Sequence, residues 1–140
     1  MKRDYAIYQV ALKIFLQNGG DVLFLKDENG KWDLPGGRID NVENKKPLEK
    51  ILAREVREEL GKEVKYELKL PAVQFRRFIY SRSVFGFITV YEAVYKGGYI
   101  KISHEHTSFE WLNPKIYPFR RNQFGNDNEE YEALMKYFGR

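Results

Sequence analysis

The sequence predicts an α+β fold, a mixed β-sheet with helices packed on it, and three observations carry that expectation. Short segments rich in Val, Ile, Leu, Phe and Tyr, alternating or continuously apolar, recur along the chain. Two segments carry helical spacing instead, one mid-chain and one near the C-terminal end. The order is strands, helix, more strands, helix, which layers helices against a sheet.

Tyr8 to Leu16 is the first expected strand, with Tyr8, Val10, Leu12, Ile14 and Leu16 on one face at period two. Asn18-Gly19-Gly20-Asp21 signals a turn, and Val22 to Leu25 a second strand. A turn at Asp27-Glu28-Asn29-Gly30 leads to Trp32-Asp33-Leu34-Pro35-Gly36-Gly37, a short strand ending in a loop whose glycines permit unusual backbone angles. Pro47 to Leu60 reads as a helix, with Asn44 as candidate N-cap, Gly61 as the stop, and Leu48, Leu52, Val56 and Leu60 in one row. Val64–Leu70, Val73–Tyr80 and Val84–Tyr95 are expected strands; Gly97-Gly98 is a turn, and Phe109–Leu112 a further short strand. Glu129 to Phe138 closes the chain as a helix, with Tyr131, Leu134, Met135 and Phe138 on one face.

The 140 residues fit one domain, 1–140, without repeat, linker or low-complexity tract. With 43% apolar and 31% charged residues the chain is neither a disordered tail nor a membrane span. No apolar run approaches the ~18 residues of a transmembrane helix, so no membrane partner is expected. Met1-Lys2-Arg3-Asp4-Tyr5 lacks a signal-peptide pattern, and a cytoplasmic protein is the expectation. Absence of cysteine excludes disulfide and thiolate chemistry. A net charge of +4 suits an anionic ligand such as a phosphate ester, and equally serves solubility, because acids and bases alternate along most of the chain.

The most informative stretch is Arg54-Glu55-Val56-Arg57-Glu58-Glu59-Leu60-Gly61. Glu55, Glu58 and Glu59 stand at i, i+3 and i+4 and share one helix face. At ~100° per residue, two of them fall at or inside the border of the apolar row, away from Lys50 and Arg57. Like charges at this spacing cost roughly 0.2–0.5 kcal/mol per pair, and burial raises their pKa values. Divalent cations remove both problems, since Mg²⁺ and Mn²⁺ prefer hard carboxylate oxygens. Taken alone, the segment also reads as an ordinary charged helix in which Arg54 and Arg57 pair with Glu58 and other acids.

The helix follows Leu34-Pro35-Gly36-Gly37-Arg38-Ile39-Asp40-Asn41-Val42-Glu43, and here the chain resembles the Nudix hydrolase family (MutT-like), whose signature is G-x5-E-x7-R-E-U-x-E-E-x-G-U, U being bulky and aliphatic. Gly37 and Glu43 match its first half; Arg54, Glu55, Val56, Glu58, Glu59 and Gly61 match its second. Three departures stand out. Ten residues separate Glu43 from Arg54 where the motif has seven, which fits a three-residue insertion near Lys45-Lys46-Pro47; Val42 replaces a glycine; Lys62 replaces the last aliphatic residue, with Val64 available to take over its packing.

The resemblance implies a Nudix-like α/β/α sandwich and a hydrolase that cuts a phosphoanhydride bond in a nucleoside diphosphate linked to another moiety, by metal-activated attack of water on phosphorus. It implies Mg²⁺ or Mn²⁺ held by Glu55, Glu58 and Glu59 with help from Gly36, with Glu58 and Glu59 also catalytic and Arg54 orienting the glutamates. Glu43 is expected to brace its loop. Ser103-His104-Glu105-His106-Thr107-Ser108-Phe109-Glu110-Trp111 is similar to E-H-x-x-[FY]-x-W of several members; Glu105 is the first candidate for a base or extra ligand, Glu110 the second, and His106 a brace for the loop. A zinc site at His104 and His106 lacks a third soft ligand.

Arg38, Arg76 and Tyr80 are candidate substrate-binding residues. Phe75-Arg76-Arg77-Phe78 and Tyr80-Ser81-Arg82 interleave bases with aromatics, a pattern that stacks a nucleobase and holds phosphates, or that simply buries one strand face and exposes the other. Tyr80 and the Glu105-His106…Trp111 pattern resemble the family's diadenosine polyphosphate hydrolases, so dinucleoside polyphosphates are favoured as substrates. The alternatives are a housecleaning nucleoside triphosphate or RNA 5′-end pyrophosphohydrolase, which would be the one nucleic-acid partner, and a Nudix module that senses nucleotides without cutting them. Homodimerisation is left open.

Overall fold

The computed structural model describes residues 1–125 and 128–140. Seven strands form one sheet: β1 (Gln9–Asn18), β2 (Asp21–Lys26), β3 (Trp32–Asp33), β4 (Gly36–Arg38), β5 (Lys65–Ile79), β6 (Val84–Gly97) and β7 (Ser108–Leu112). Helix α1 spans Leu48–Leu60 and α2 spans Asn128–Tyr137. The main path runs β3-β2-β1-β6-β5, with β4 added to β1 and β7 to β2. β1 and β6 are parallel and the other pairs antiparallel, so the expected mixed α+β sheet is what the chain builds.

The alternation expected along β1 describes half of its burial. Leu12, Ile14 and Leu16 pack with Leu23 and Leu25 of β2 and with Ile51, Leu52, Val56 and Leu60 of α1. Ala11 and Phe15 pack on the other face with Phe24, Phe119 and the α2 residues Leu134 and Met135. A strand covered by a helix layer on each face is apolar at nearly every position, and Ala11–Leu16 is buried throughout. Lys13 is the exception in chemistry, a buried cation between the apolar neighbours Leu12 and Ile14.

Three expectations are corrected. Asn44 does not cap α1. It closes a single 3₁₀ turn at Asn41–Glu43, and α1 begins at Leu48 with Pro47 as its N-cap, which has no side-chain cap bond and whose carbonyl accepts the Lys50 and Ile51 N–H groups. Leu48 at the head of the apolar row is 50% exposed, since α1 meets the sheet only from Ile51 onward. The two strands expected at 64–70 and 73–80 are one strand, β5, which passes Pro71 through register shifts against β6. Proline fits there because β5 is the edge of the sheet and needs no donor on its outer side. Val64 packs against the α1-side core, as its position beside Lys62 anticipated.

The sheet also opens the cleft. β1 pairs with β2 only at Gln17–Val22 and Asn18–Asp21; further back it pairs instead with β4, through Ala11–Arg38, Leu12–Gly37 and Lys13–Gly36. The Ile14 N–H is met by the Pro35 carbonyl at 2.9 Å. The Gly36-Gly37 segment is thereby laid against the middle of β1, beside the acidic end of α1. Among the described residues no helix is long and apolar enough to cross a membrane.

Candidate active site

A cleft of about 1350 Å³ runs over this segment, and the acidic face of α1 forms one wall with Arg54, Glu55, Glu58 and Glu59. Gly36 and Gly37 form its floor and Ser103 to His106 part of its rim. Tyr8, Arg38, Phe78 and Arg82 contribute an aromatic and basic wall. Helix geometry brings the three glutamates together, and helix packing gives them different environments: the side chains of Glu55, Glu58 and Glu59 are 13%, 61% and 7% exposed.

Arg54 holds much of this face. Its guanidinium donates to Glu55 Oε1 at 2.7 Å, to Glu58 Oε1 at 3.0 Å and to Glu43 Oε2 at 2.7 Å, with a second bond to Glu43 Oε1. Glu43 also accepts the Asp40 N–H at 3.1 Å, closing a capping box on the 3₁₀ turn. Glu43 thus ties the loop to α1 through Arg54, across the ten intervening residues. The side-chain hydrogen bonds to Arg54 hold the Glu43 carboxyl below its ordinary pKa. Burial pushes Glu55 the other way, above its ordinary value, and outweighs Arg54.

The two glycines have separate reasons. Gly36 sits at φ 142°, and a Cβ there would run into the Leu12 carbonyl and Lys13 backbone of β1. Gly37 has no positive φ; a Cβ there would meet the Glu55 carboxylate. The missing side chain at 37 is the space Glu55 occupies.

The third glutamate is held differently. Glu59 Oε2 accepts from Ser103 Oγ at 3.2 Å and lies 3.2 Å from His106 Nδ1. The other ring nitrogen of His106 is 3.6 Å from Asp33 Oδ2. Asp33 in turn pairs with Lys13 at 3.1 Å and Arg77 at 3.3 Å, and Arg77 with Glu130 of α2 at 2.7 Å. Burial would push the Asp33 carboxyl up, but Lys13, Arg77 and His106 together hold it well below the carboxylate range. Asp33 and then Glu59 raise His106 to about 9.

Of the residues singled out from the sequence, the cleft brings together Gly36, Arg38, Arg54, Glu55, Glu58, Glu59 and Glu105. Glu110 lies on β7, opposite Phe24 in the sheet and outside the cleft lining. Arg76 and Tyr80 are not brought to it either. Arg76 pairs with Glu129 at 2.8 Å and covers the Phe85 ring, while its neighbour Arg77 lines the cleft. Tyr80 begins a short 3₁₀ turn, 66% exposed, edge-on to Phe78. Sequence reasoning missed Lys13, Asp33 and Arg77. The available signal was Lys13, a lone charge inside the apolar run Val10–Leu16.

By donor type the site suits a hard divalent cation: three carboxylates on one wall, two of them largely buried, over a glycine floor. Among the described residues no three His, Cys, Asp or Glu side chains already converge as a ligand set. Arg54 draws Glu55 and Glu58 to itself, while Glu59 accepts from Ser103 and lies against His106, so each carboxylate has a protein partner in the present arrangement.

The NUDIX domain model matches residues 7–135. A comparison with curated protein sequences finds no match. Among solved structures, the MutT protein of Methanosarcina mazei Go1 superposes with a TM-score of 0.74 at 22% identity, over 96% of each chain. A UDP-X diphosphatase superposes at 0.66 and 18% identity, over 98% of this chain and 66% of that one. An ADP-ribose pyrophosphatase of Streptococcus suis superposes at 0.63 and 16% identity, over 93% and 91%. This chain belongs to the NUDIX family, with a MutT-like fold. It is accordingly an enzyme of the class that hydrolyses pyrophosphate bonds of nucleotides.

Proposed function

We propose that the protein cuts a phosphoanhydride bond in a nucleoside diphosphate linked to another moiety, with Mg²⁺ or Mn²⁺, and that dinucleoside polyphosphates are its preferred substrates. The observation that carries the reading is the wall of Glu55, Glu58 and Glu59 on a cleft that basic and aromatic side chains also line. Bound divalent cations would neutralise the phosphoryl oxygens and lower the pKa of a water aimed at phosphorus. Glu55, Glu58 and Glu59 would hold them, with Gly36 and Gly37 letting the backbone approach. Arg54 orients Glu55 and Glu58 through charge-assisted hydrogen bonds. Glu105 lines the cleft, exposed, between His104 and His106 in the chain, and is the base or extra ligand of this reading.

Arg38 and Arg82 would receive the phosphates, and Tyr8 and Phe78 a base. The dinucleotide preference is supported by the aromatic surface continuing past Phe78 to exposed Tyr80, their ring centroids 4.9 Å apart, which offers a second base a place outside the cleft proper. A substrate panel with Mg²⁺ and Mn²⁺, products resolved by chromatography, tests this. The expected result is fastest cleavage of diadenosine tetraphosphate over ADP-ribose, UDP-sugars, nucleoside triphosphates and 5′-triphosphate RNA, abolished by chelator. Full activity in excess chelator overturns the mechanism. Preference for triphosphates overturns the substrate, and nucleotide binding without turnover leaves a sensor.

A further inference from the structure

We propose that His106, braced by Asp33, is a positioning residue that fixes the Glu59 carboxylate in the cleft, at the end of a chain of charged side chains anchored on α2. This rests on the proposed role of Glu59 as a metal ligand.

The chain begins at Glu130, 2% exposed on α2, which receives Arg77 through two hydrogen bonds of 2.7 and 2.8 Å. Arg77 and Lys13 both reach Asp33 Oδ1, at 3.3 and 3.1 Å, and the Leu34 N–H donates to the same oxygen at 2.8 Å. With Oδ1 occupied, Oδ2 is the oxygen toward His106 Nε2. Nδ1, on the opposite side of the ring, lies 3.2 Å from Glu59 Oε2, a close charge contact without hydrogen-bond geometry. The His106 and Glu59 side chains are each 7% exposed, so water competes little for either. A ring with a carboxylate at each nitrogen cannot turn without losing one of them.

Glu59 differs from its two companions in what holds it. Arg54 bonds Glu55 and Glu58, whereas the Glu59 side chain is met by Ser103 and His106. The loop that supplies them is itself pinned to α1: the Ser103 N–H donates to the Glu59 carbonyl at 3.1 Å, and the His106 N–H to the Ser103 carbonyl at 3.3 Å. The acidic wall therefore has two holders. Arg54 is local to the helix; His106 connects the wall through the sheet to α2. Outer partners of this kind keep a ligand oriented before the cation arrives, and their loss weakens binding without removing any donor.

The test uses the full chain with His106→Ala and His106→Gln, and manganese alone as probe. Free Mn²⁺ is followed by electron paramagnetic resonance without substrate, and melting is followed with and without Mn²⁺. His106→Ala is expected to bind Mn²⁺ about 10- to 100-fold more weakly, and to lower kcat with KM little changed. His106→Gln, whose amide is able to donate toward Glu59, is expected to recover part of both. If His106→Ala does not fold, the Gln variant alone decides, by an affinity below the wild type. The proposal is overturned if folded variants bind Mn²⁺ and turn over like wild type while only metal-free melting falls. If the wild type itself neither binds Mn²⁺ nor hydrolyses pyrophosphates, the proposed function fails and this inference with it. A wild type that does both, matched by its His106 variants, removes this inference alone.

Discussion

Adjacent glycines that are required for different reasons should respond differently to one substitution. At Gly36, alanine adds a Cβ within 2.6 Å of Lys13 Cα and closer still to the Leu12 carbonyl, at a φ of 142°. Both obstacles are backbone of the central strand. Unfavourable φ costs ~1–3 kcal/mol and overpacking a further ~1–3 kcal/mol. The sum, roughly 2–6 kcal/mol, is a large share of the ~5–15 kcal/mol that holds a domain. At ~3–4 °C per kcal/mol for a chain of this size, melting should drop by ~6–24 °C. At Gly37 the obstacle is the end of the Glu55 side chain, its carboxyl carbon 2.5 Å from the added Cβ. That side chain can turn away, and alanine lowers the entropy of the unfolded chain by ~0.4–1 kcal/mol. Melting should stay within a few degrees of wild type. Activity should not, because Glu55 leaves its place in the cleft and its 2.7 Å bond to Arg54. A charged hydrogen bond is worth ~1.5–3 kcal/mol, which corresponds to a ~10- to 150-fold loss of kcat. Thermal melts and steady-state rates on the best substrate of the panel, with Mn²⁺ titration, measure all of this. Equal loss of stability in both variants, or a fully active Gly37→Ala, would refute the separation of roles.

Glu58→Gln and Glu59→Gln are each expected to lower kcat by ~10²-fold or more, about 2.7 kcal/mol of transition-state stabilisation, with the circular-dichroism spectrum unchanged. Glu105→Gln should cost more than Glu110→Gln, since Glu105 lines the cleft and Glu110 does not; the reverse order in kcat moves the loop acid to β7. The Asp33 carboxyl is held low in the folded protein, so its stabilisation is complete above the unfolded value of ~3.9 and is lost as pH falls through the folded one. Asp33→Asn should destabilise at neutral pH by roughly 2–3 kcal/mol, below the ~3–5 kcal/mol of a fully buried pair because the side chain keeps 22% exposure, and flatten the acid limb of a urea-melt series. An unchanged acid limb would place that pH dependence elsewhere. Tyr80→Ala should weaken diadenosine tetraphosphate by ~1–3 kcal/mol in KM while sparing a nucleoside triphosphate, with Tyr80→Phe near neutral. Equal penalties on both substrates would put Tyr80 at a common site, and a fall in melting temperature alone would put it in the fold.

The sequence by itself determined the features that fixed local geometry dictates. Residues at i, i+3 and i+4 of any α-helix share a face, so Glu55, Glu58 and Glu59 were bound to face one way once Pro47–Leu60 was read as helical. The period-two segments located most strands, and the motif spacing located the glycine floor. Tertiary structure decided the features that depend on register and on partners far along the chain. Whether Arg76 or Arg77 meets the cleft is set by the pairing of β5 with β6, whose shifts around Pro71 no local pattern encodes. Tyr80 left its expected strand because β5 ends at Ile79 and the chain turns there. The two-sided burial of β1, and with it the enclosure of Lys13, required α2 to close over the far face. His106 reaches Glu59 and Asp33 only because Lys26 and the loop after β6 bring residues 33, 59 and 106 to one point, the Thr107 N–H meeting the Lys26 carbonyl at 2.8 Å. Such pairings are long-range by nature: an ion pair needs two charges within a few ångströms, and chain separation says nothing about that distance until the sheet has formed.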